Sequence, residues 1–156
     1  MKLLMDADCL IKLTKAGLKE LIAGNANICI PEIVKQEIVD AGKRKGRADA
    51  FAVEKNISFG MVDVIKSPLV YRKGDHALIA LFEKAKFDAV ATDDRKLTRD
   101  LKTQGIRFIL PGLILYQLKE KGRIDLTTAL WALDQLADFI SEDEFSITKL
   151  LLEKGK

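Results

Sequence analysis

Short apolar runs alternate with longer stretches of helical spacing along this chain. The runs KLLMD (2–6), NICIP (27–31), MVDVI (61–65), DAVAT (88–92) and IRFIL (106–110) have the length and composition of buried strands. Between and beyond them, apolar residues recur every three or four positions. That period predicts helices over roughly 10–23, 31–54, 75–86, 94–104, 112–121 and 126–140. Strands separated by helical segments predict βαβ units. The expected fold is therefore α/β: a three-layer α/β/α sandwich around a mostly parallel sheet of about five strands. Pro31 falls at a helix start, and Gly105 and Gly122 fall where helices end.

The last third differs from the rest. Leu126, Leu130, Leu133, Ala137 and Ile140 form an apolar stripe, widened by Trp131 and Leu136. This helix lies beyond the fifth strand and must cover something. The expected division is an α/β domain over 1–122 and a helical extension over 123–156 that packs on the same domain or on a partner. Residues 146–156 predict a short amphipathic helix that frays at EKGK.

Composition adds limits to this picture. The chain has 156 residues, enough for one domain with a real core. A 48% hydrophobic and 31% charged balance is that of an ordinary globular protein, and a net charge of +3 does not by itself announce a nucleic-acid binder. Cys9 and Cys29 each sit in an apolar stretch and are expected to be buried free thiols in a reducing, cytoplasmic setting. The stretch FILPGLILYQL is too short to span a bilayer and contains Pro111 and Gly112, so no membrane segment is expected.

The acids are the candidate chemistry. Asp6 ends the first strand, and Asp93 and Asp94 follow the fourth. In open parallel sheets, ligands bind beyond the carboxyl ends of the strands, so these acids are expected on one rim. An N-cap does not explain Asp6, an acid embedded between LLM and ADCLI. Glu37 shares a helix face with the apolar Ile33, Val34 and Ile38. An inward glutamate must be paired, hydrogen-bonded or bound to metal, unless it reaches solvent at the boundary. Asp75 and Asp94 each open a helix, as an N-cap or as ligands. His76, beside Asp75, reads as a first-turn helix residue.

Four carboxylates in one cleft repel one another unless cations neutralise them. Oxygen-only ligation suits Mg²⁺ or Mn²⁺ better than zinc, and such ions serve phosphoryl chemistry. Bases flank the acids: Lys43, Arg44, Lys45 and Arg47 in one run, then Arg72, Lys73, Arg95, Lys96 and Arg99. They fit a gripped polyanion backbone, or equally a solvated helix end.

These residues resemble the PIN-domain ribonucleases, the fold of VapC-type toxins. The resemblance covers about residues 3–118 and rests on LLMDADCLI, PEIVKQEIV, GDHALIALFEKA and DAVATDDRKL. It implies a PIN-like nuclease domain over 1–122 that cleaves RNA with Mg²⁺ or Mn²⁺. Carried over by position, Asp6, Glu37, Asp75 and Asp94 are the catalytic and metal-binding acids, with Asp93 sharing the metal. Asp8 and Thr92 are expected to support them from alongside, and the flanking bases Lys43, Arg44, Lys45, Arg47 and Arg95, read from their charge, are expected to contact substrate. The resemblance further implies a homodimer and a cognate antitoxin. The chain beyond Gly122 runs longer than in many compact toxins. Two alternatives stay open. The D-x-D of Asp6 and Asp8 also fits a haloacid-dehalogenase-like phosphatase, although Leu10 stands where that family has threonine or valine. The other is a PIN-like module that binds RNA or protein without cutting.

Overall fold

The computed structural model describes residues 1–40, 46, 60–66 and 74–154. Five strands form one sheet: β1 (Lys2–Met5), β2 (Asn27–Pro31), β3 (Val62–Ile65), β4 (Ala89–Ala91) and β5 (Phe108–Ile109). Their spatial order is β3-β2-β1-β4-β5, and every pairing is parallel. Eight α-helices accompany them among the described residues. They are α1 (Ala7–Lys15), α2 (Lys19–Ala23), α3 (Glu32–Lys35), α4 (Gly74–Lys84), α5 (Arg95–Thr103), α6 (Pro111–Glu120), α7 (Leu126–Leu136) and α8 (Glu142–Lys154). The architecture is the expected three-layer α/β/α sandwich.

Alternation along β1 builds both outer layers. Leu3 and Met5 face a core completed by Leu13, Ile114, Leu115, Leu133 and Leu152. Leu4 faces the opposite core, with Leu78, Leu81, Leu97 and Leu101 from α4 and α5. All three β1 residues are fully buried, so the strand reads as a continuous apolar run. The helices α6, α7 and α8 pack against one another over the first core.

Several boundaries differ from expectation. The helix expected over 10–23 is two helices, because Gly17 turns the chain at φ +72°. The first of them starts at Ala7, directly after β1. Pro31 ends β2 and precedes the helix instead of opening it. The helix expected over 31–54 starts as α3 and widens into a π-helical turn over Gln36–Asp40, and its remainder lies largely outside the described residues. The stripe over 126–140 ends its α-helix at Leu136 and finishes in a 3₁₀ turn. The final helix starts at Glu142, earlier than its apolar residues suggest. Gly105 and Gly122 do terminate helices, at φ +68° and +69°.

The strand order fixes the location of any ligand. From β1 the chain moves outward through β2 to β3, then returns to the other side of β1 for β4 and β5. The carboxyl ends of β1 and β4 therefore flank the switch point, where an open parallel sheet forms its crevice.

Candidate active site

Asp6 follows β1 at the switch point. Met5 pairs with Ala91, and the Asp6 amide donates to the Ala91 carbonyl at 3.2 Å. Its carboxylate accepts from the Cys9 amide at 2.8 Å, so Asp6 is the N-cap of α1. The expectation that capping could not explain this acid is thus corrected, since α1 begins one residue later. Capping is not its whole environment. The buried Thr92 hydroxyl donates a short hydrogen bond to the other carboxylate oxygen, and Asp6 is only 6% exposed. Burial pushes its pKa up to about 7, against the lowering effect of Thr92 and the Cys9 amide, while Asp8 and Asp93 add to the rise.

The loop after β4 is divided residue by residue. Thr92 also accepts from the Asp94 amide at 3.1 Å. Asp94 caps α5, accepting from the Leu97 amide at 2.8 Å. Asp93 points elsewhere, to the Lys12 ammonium of α1 at 2.5 Å.

Glu37 sits on the π-helical turn after α3. Such turns occur as single insertions in helices, often at functional sites. Val34 and Ile38 are buried, whereas Glu37 is exposed, so the expected inward face does not enclose it. Its carboxylate instead accepts from the Gly74 amide at 2.9 Å, tying this turn to the start of α4. Gly74 leaves no room for a side chain: a Cβ there would come 2.8 Å from Glu37 Oε2 and 2.9 Å from Val34. Asp75 lies within the first turn of α4, half-buried, with its pKa raised by burial and then by Asp94. His76 is exposed in that same turn.

These segments close on one cleft of about 160 Å³, lined by Asp6, Asp8, Val34, Glu37, Gly74, Asp75 and Asp94 among others. Four of the five acids expected to bind metal, Asp6, Glu37, Asp75 and Asp94, thus share a cleft, which Asp8 lines as well. Asp93 is outside it, on Lys12. Arg95 is exposed beside Asp94 in the first turn of α5. Lys43, Arg44, Lys45, Arg47, Arg72 and Lys73 lie outside the described residues.

The donor set is that of a hard divalent ion: carboxylate oxygens without thiolate or imidazole partners in the cleft. Asp6 and Asp75 both have pKa values raised by burial, so their charged forms lack compensation and a cation would supply it. As they stand, no three acidic, histidine or cysteine groups among the described residues form a ready coordination shell. Glu37 and Asp94 are the exposed acids of the cleft.

Three participants are missing from the sequence expectations. Lys12 stands four residues after Asp8, a spacing that signals a helical pair, but its partner is Asp93, from β4's loop. Gly74 was visible only as the glycine preceding Asp75. The carboxylate of Glu144, buried on α8, accepts from the Gly112 amide at 2.8 Å, just before the stretch expected to be an amphipathic tail. Both cysteines are buried and free, as expected. No helix among the described residues is long and apolar enough to cross a membrane.

No curated protein matches the chain. A family model does: DUF3368, described as a PIN domain, matches residues 2–152. The match takes in the sheet, the acids of the cleft, helices α6 and α7 and all but the last two residues of α8, and the chain belongs to the PIN-domain family.

Proposed function

We propose that this protein is a divalent-metal-dependent endoribonuclease whose Mg²⁺ or Mn²⁺ is held by Asp6, Glu37, Asp75 and Asp94. Membership of the PIN-domain family supports a nuclease acting on RNA. The observation that carries the metal reading is the convergence of four carboxylates, from four separate segments, on one cleft at the switch point. A divalent ion bound there supplies Lewis-acid activation of water and neutralises charge on the phosphodiester.

The chain's own groups have distinct tasks. Thr92 and the Cys9 amide fix the Asp6 carboxylate in one orientation. The Gly74 amide holds Glu37 at the mouth of the cleft. Arg95, exposed beside Asp94, meets the phosphate backbone, with Lys43, Arg44, Lys45 and Arg47 as further contacts. The resemblance to VapC-type proteins supports the role of toxin, held by an antitoxin and working as a homodimer in the cytoplasm. A small antitoxin reading frame beside the gene is the observation that tests that role.

Activity is tested with labelled single-stranded RNA and purified, partner-free protein. The wild type is expected to cut in Mn²⁺ or Mg²⁺ and to stop on chelation. Asp6→Asn is expected to lose at least about a hundredfold in rate. Equal cleavage by Asp6→Asn would put the site elsewhere, and a wild type that never cuts would favour a binding module.

A further inference from the structure

Lys12 of α1 pairs with Asp93, the neighbour of the cleft acid Asp94. Its ammonium lies 2.5 Å from Asp93 Oδ2, and only 27% of the Lys12 side chain and 15% of the Asp93 side chain are exposed. Asp8 of α1 and Glu144 of α8 add their charge to the field at the same ammonium. Acids from three segments therefore act on one lysine, and one of them, Asp93, is in contact with it. Burial alone would lower its pKa, but Asp93, Asp8 and Glu144 outweigh burial, and the net shift is upward. The lysine stays charged throughout the neutral range.

The pairing separates two neighbouring acids. Asp94 lines the cleft, and Asp93 does not. A free Asp93 would add a further negative charge beside the five carboxylates that line the cleft. Pairing to Lys12 offsets much of that charge, although Asp93 still adds to the rise at Asp6.

We propose that Lys12 is a positioning residue, a built-in counter-ion that holds Asp93 out of the metal cluster and leaves Asp94 as the loop's ligand. This rests on the metal-binding reading given above. Lys12 touches neither substrate nor ion. It sets the charge of the cluster and which carboxylate of the Asp93–Asp94 pair can reach it.

The test is calorimetric Mn²⁺ titration of metal-free protein at about pH 8, without RNA. Lys12→Met is expected to bind Mn²⁺ on the order of tenfold more tightly, because the freed Asp93 charge attracts the cation. Asp93→Asn is expected to bind on the order of tenfold more weakly, because the unpaired ammonium repels it. Lys12→Met combined with Asp93→Asn removes both charges and should return to within about threefold of wild type. If Asp93 is itself a ligand, the double variant will bind as weakly as Asp93→Asn, and the proposal is overturned. Unchanged Mn²⁺ affinity in all three variants also overturns it, leaving the pair a structural ion pair. Should Lys12→Met fail to fold, the double variant against Asp93→Asn still decides. Asp6→Asn serves as the control. Wild-type binding lost in that variant upholds the metal reading whatever the Lys12 series does, whereas a wild type that binds no Mn²⁺ overturns both.

Discussion

Asp6 holds a proton that an unfolded chain would release. Its carboxyl titrates near 3.8 when unperturbed and at about 7 in the folded, metal-free protein. Between those values the native state binds more protons than the unfolded state, so stability falls as pH rises. The loss starts near pH 4 and is complete just above pH 7. A shift of this size corresponds to on the order of 4 kcal/mol. Asparagine can replace the capping oxygen at Cys9 without carrying a charge. Metal-free Asp6→Asn is therefore expected to match wild type near pH 4 and to exceed it in stability at pH 8. Urea midpoints across that range make the comparison. Parallel pH profiles for the two proteins would mean that Asp6 is not held in its protonated form. The same residue then costs stability without metal and is indispensable with it, which is the expected signature of a binding site.

At the scale of elements, legibility followed how local each signal was. The strands were readable because burial on both faces makes each a short apolar run, and Gly105 and Gly122 were readable because left-handed helix ends favour glycine. The start of α1 differs from expectation because Asp6, expected to end the strand, caps a helix that begins at Ala7. The π-helical turn at Glu37 leaves no mark in an α-helical period. Lys12–Asp93 and Glu144–Gly112 join residues 81 and 32 positions apart, and no spacing rule reports such pairs. The second pair makes a prediction about α6. Glu144 accepts the Gly112 amide at the helix's N-terminus, where orphan donors need a partner and the dipole favours a carboxylate. Burial raises its pKa while that amide lowers it. Glu144→Ala strands a buried N–H and should cost about 1–3 kcal/mol in urea unfolding. Glu144→Gln keeps an acceptor and should cost clearly less. Equal losses would mean that this hydrogen bond is not what Glu144 contributes.

At the scale of the whole molecule, the question is whether the chain beyond Gly122 is an appendage or part of the body. The core under β1 draws Leu3 and Met5 from the sheet, Ile114, Leu115 and Leu118 from α6, and Leu133, Leu136 and Leu152 from α7 and α8. All of these are at most 1% exposed. Each buried leucine is worth about 1.5–3 kcal/mol, so the last three alone rival the roughly 5–15 kcal/mol by which a domain of this size is stable. Cutting after Gly122 would also uncover one face of α6 and remove its Glu144 cap. A fragment of residues 1–122 is therefore expected to keep helical far-ultraviolet dichroism while losing cooperative thermal unfolding and binding a hydrophobic dye. It should also lose Mn²⁺-dependent stabilisation, although every cleft acid is still present, because Asp6 leaves β1 at the edge of that same core. A fragment that unfolds in one sharp transition, and is stabilised by Mn²⁺ as the full chain is, would instead make α7 and α8 an extension free to engage a partner.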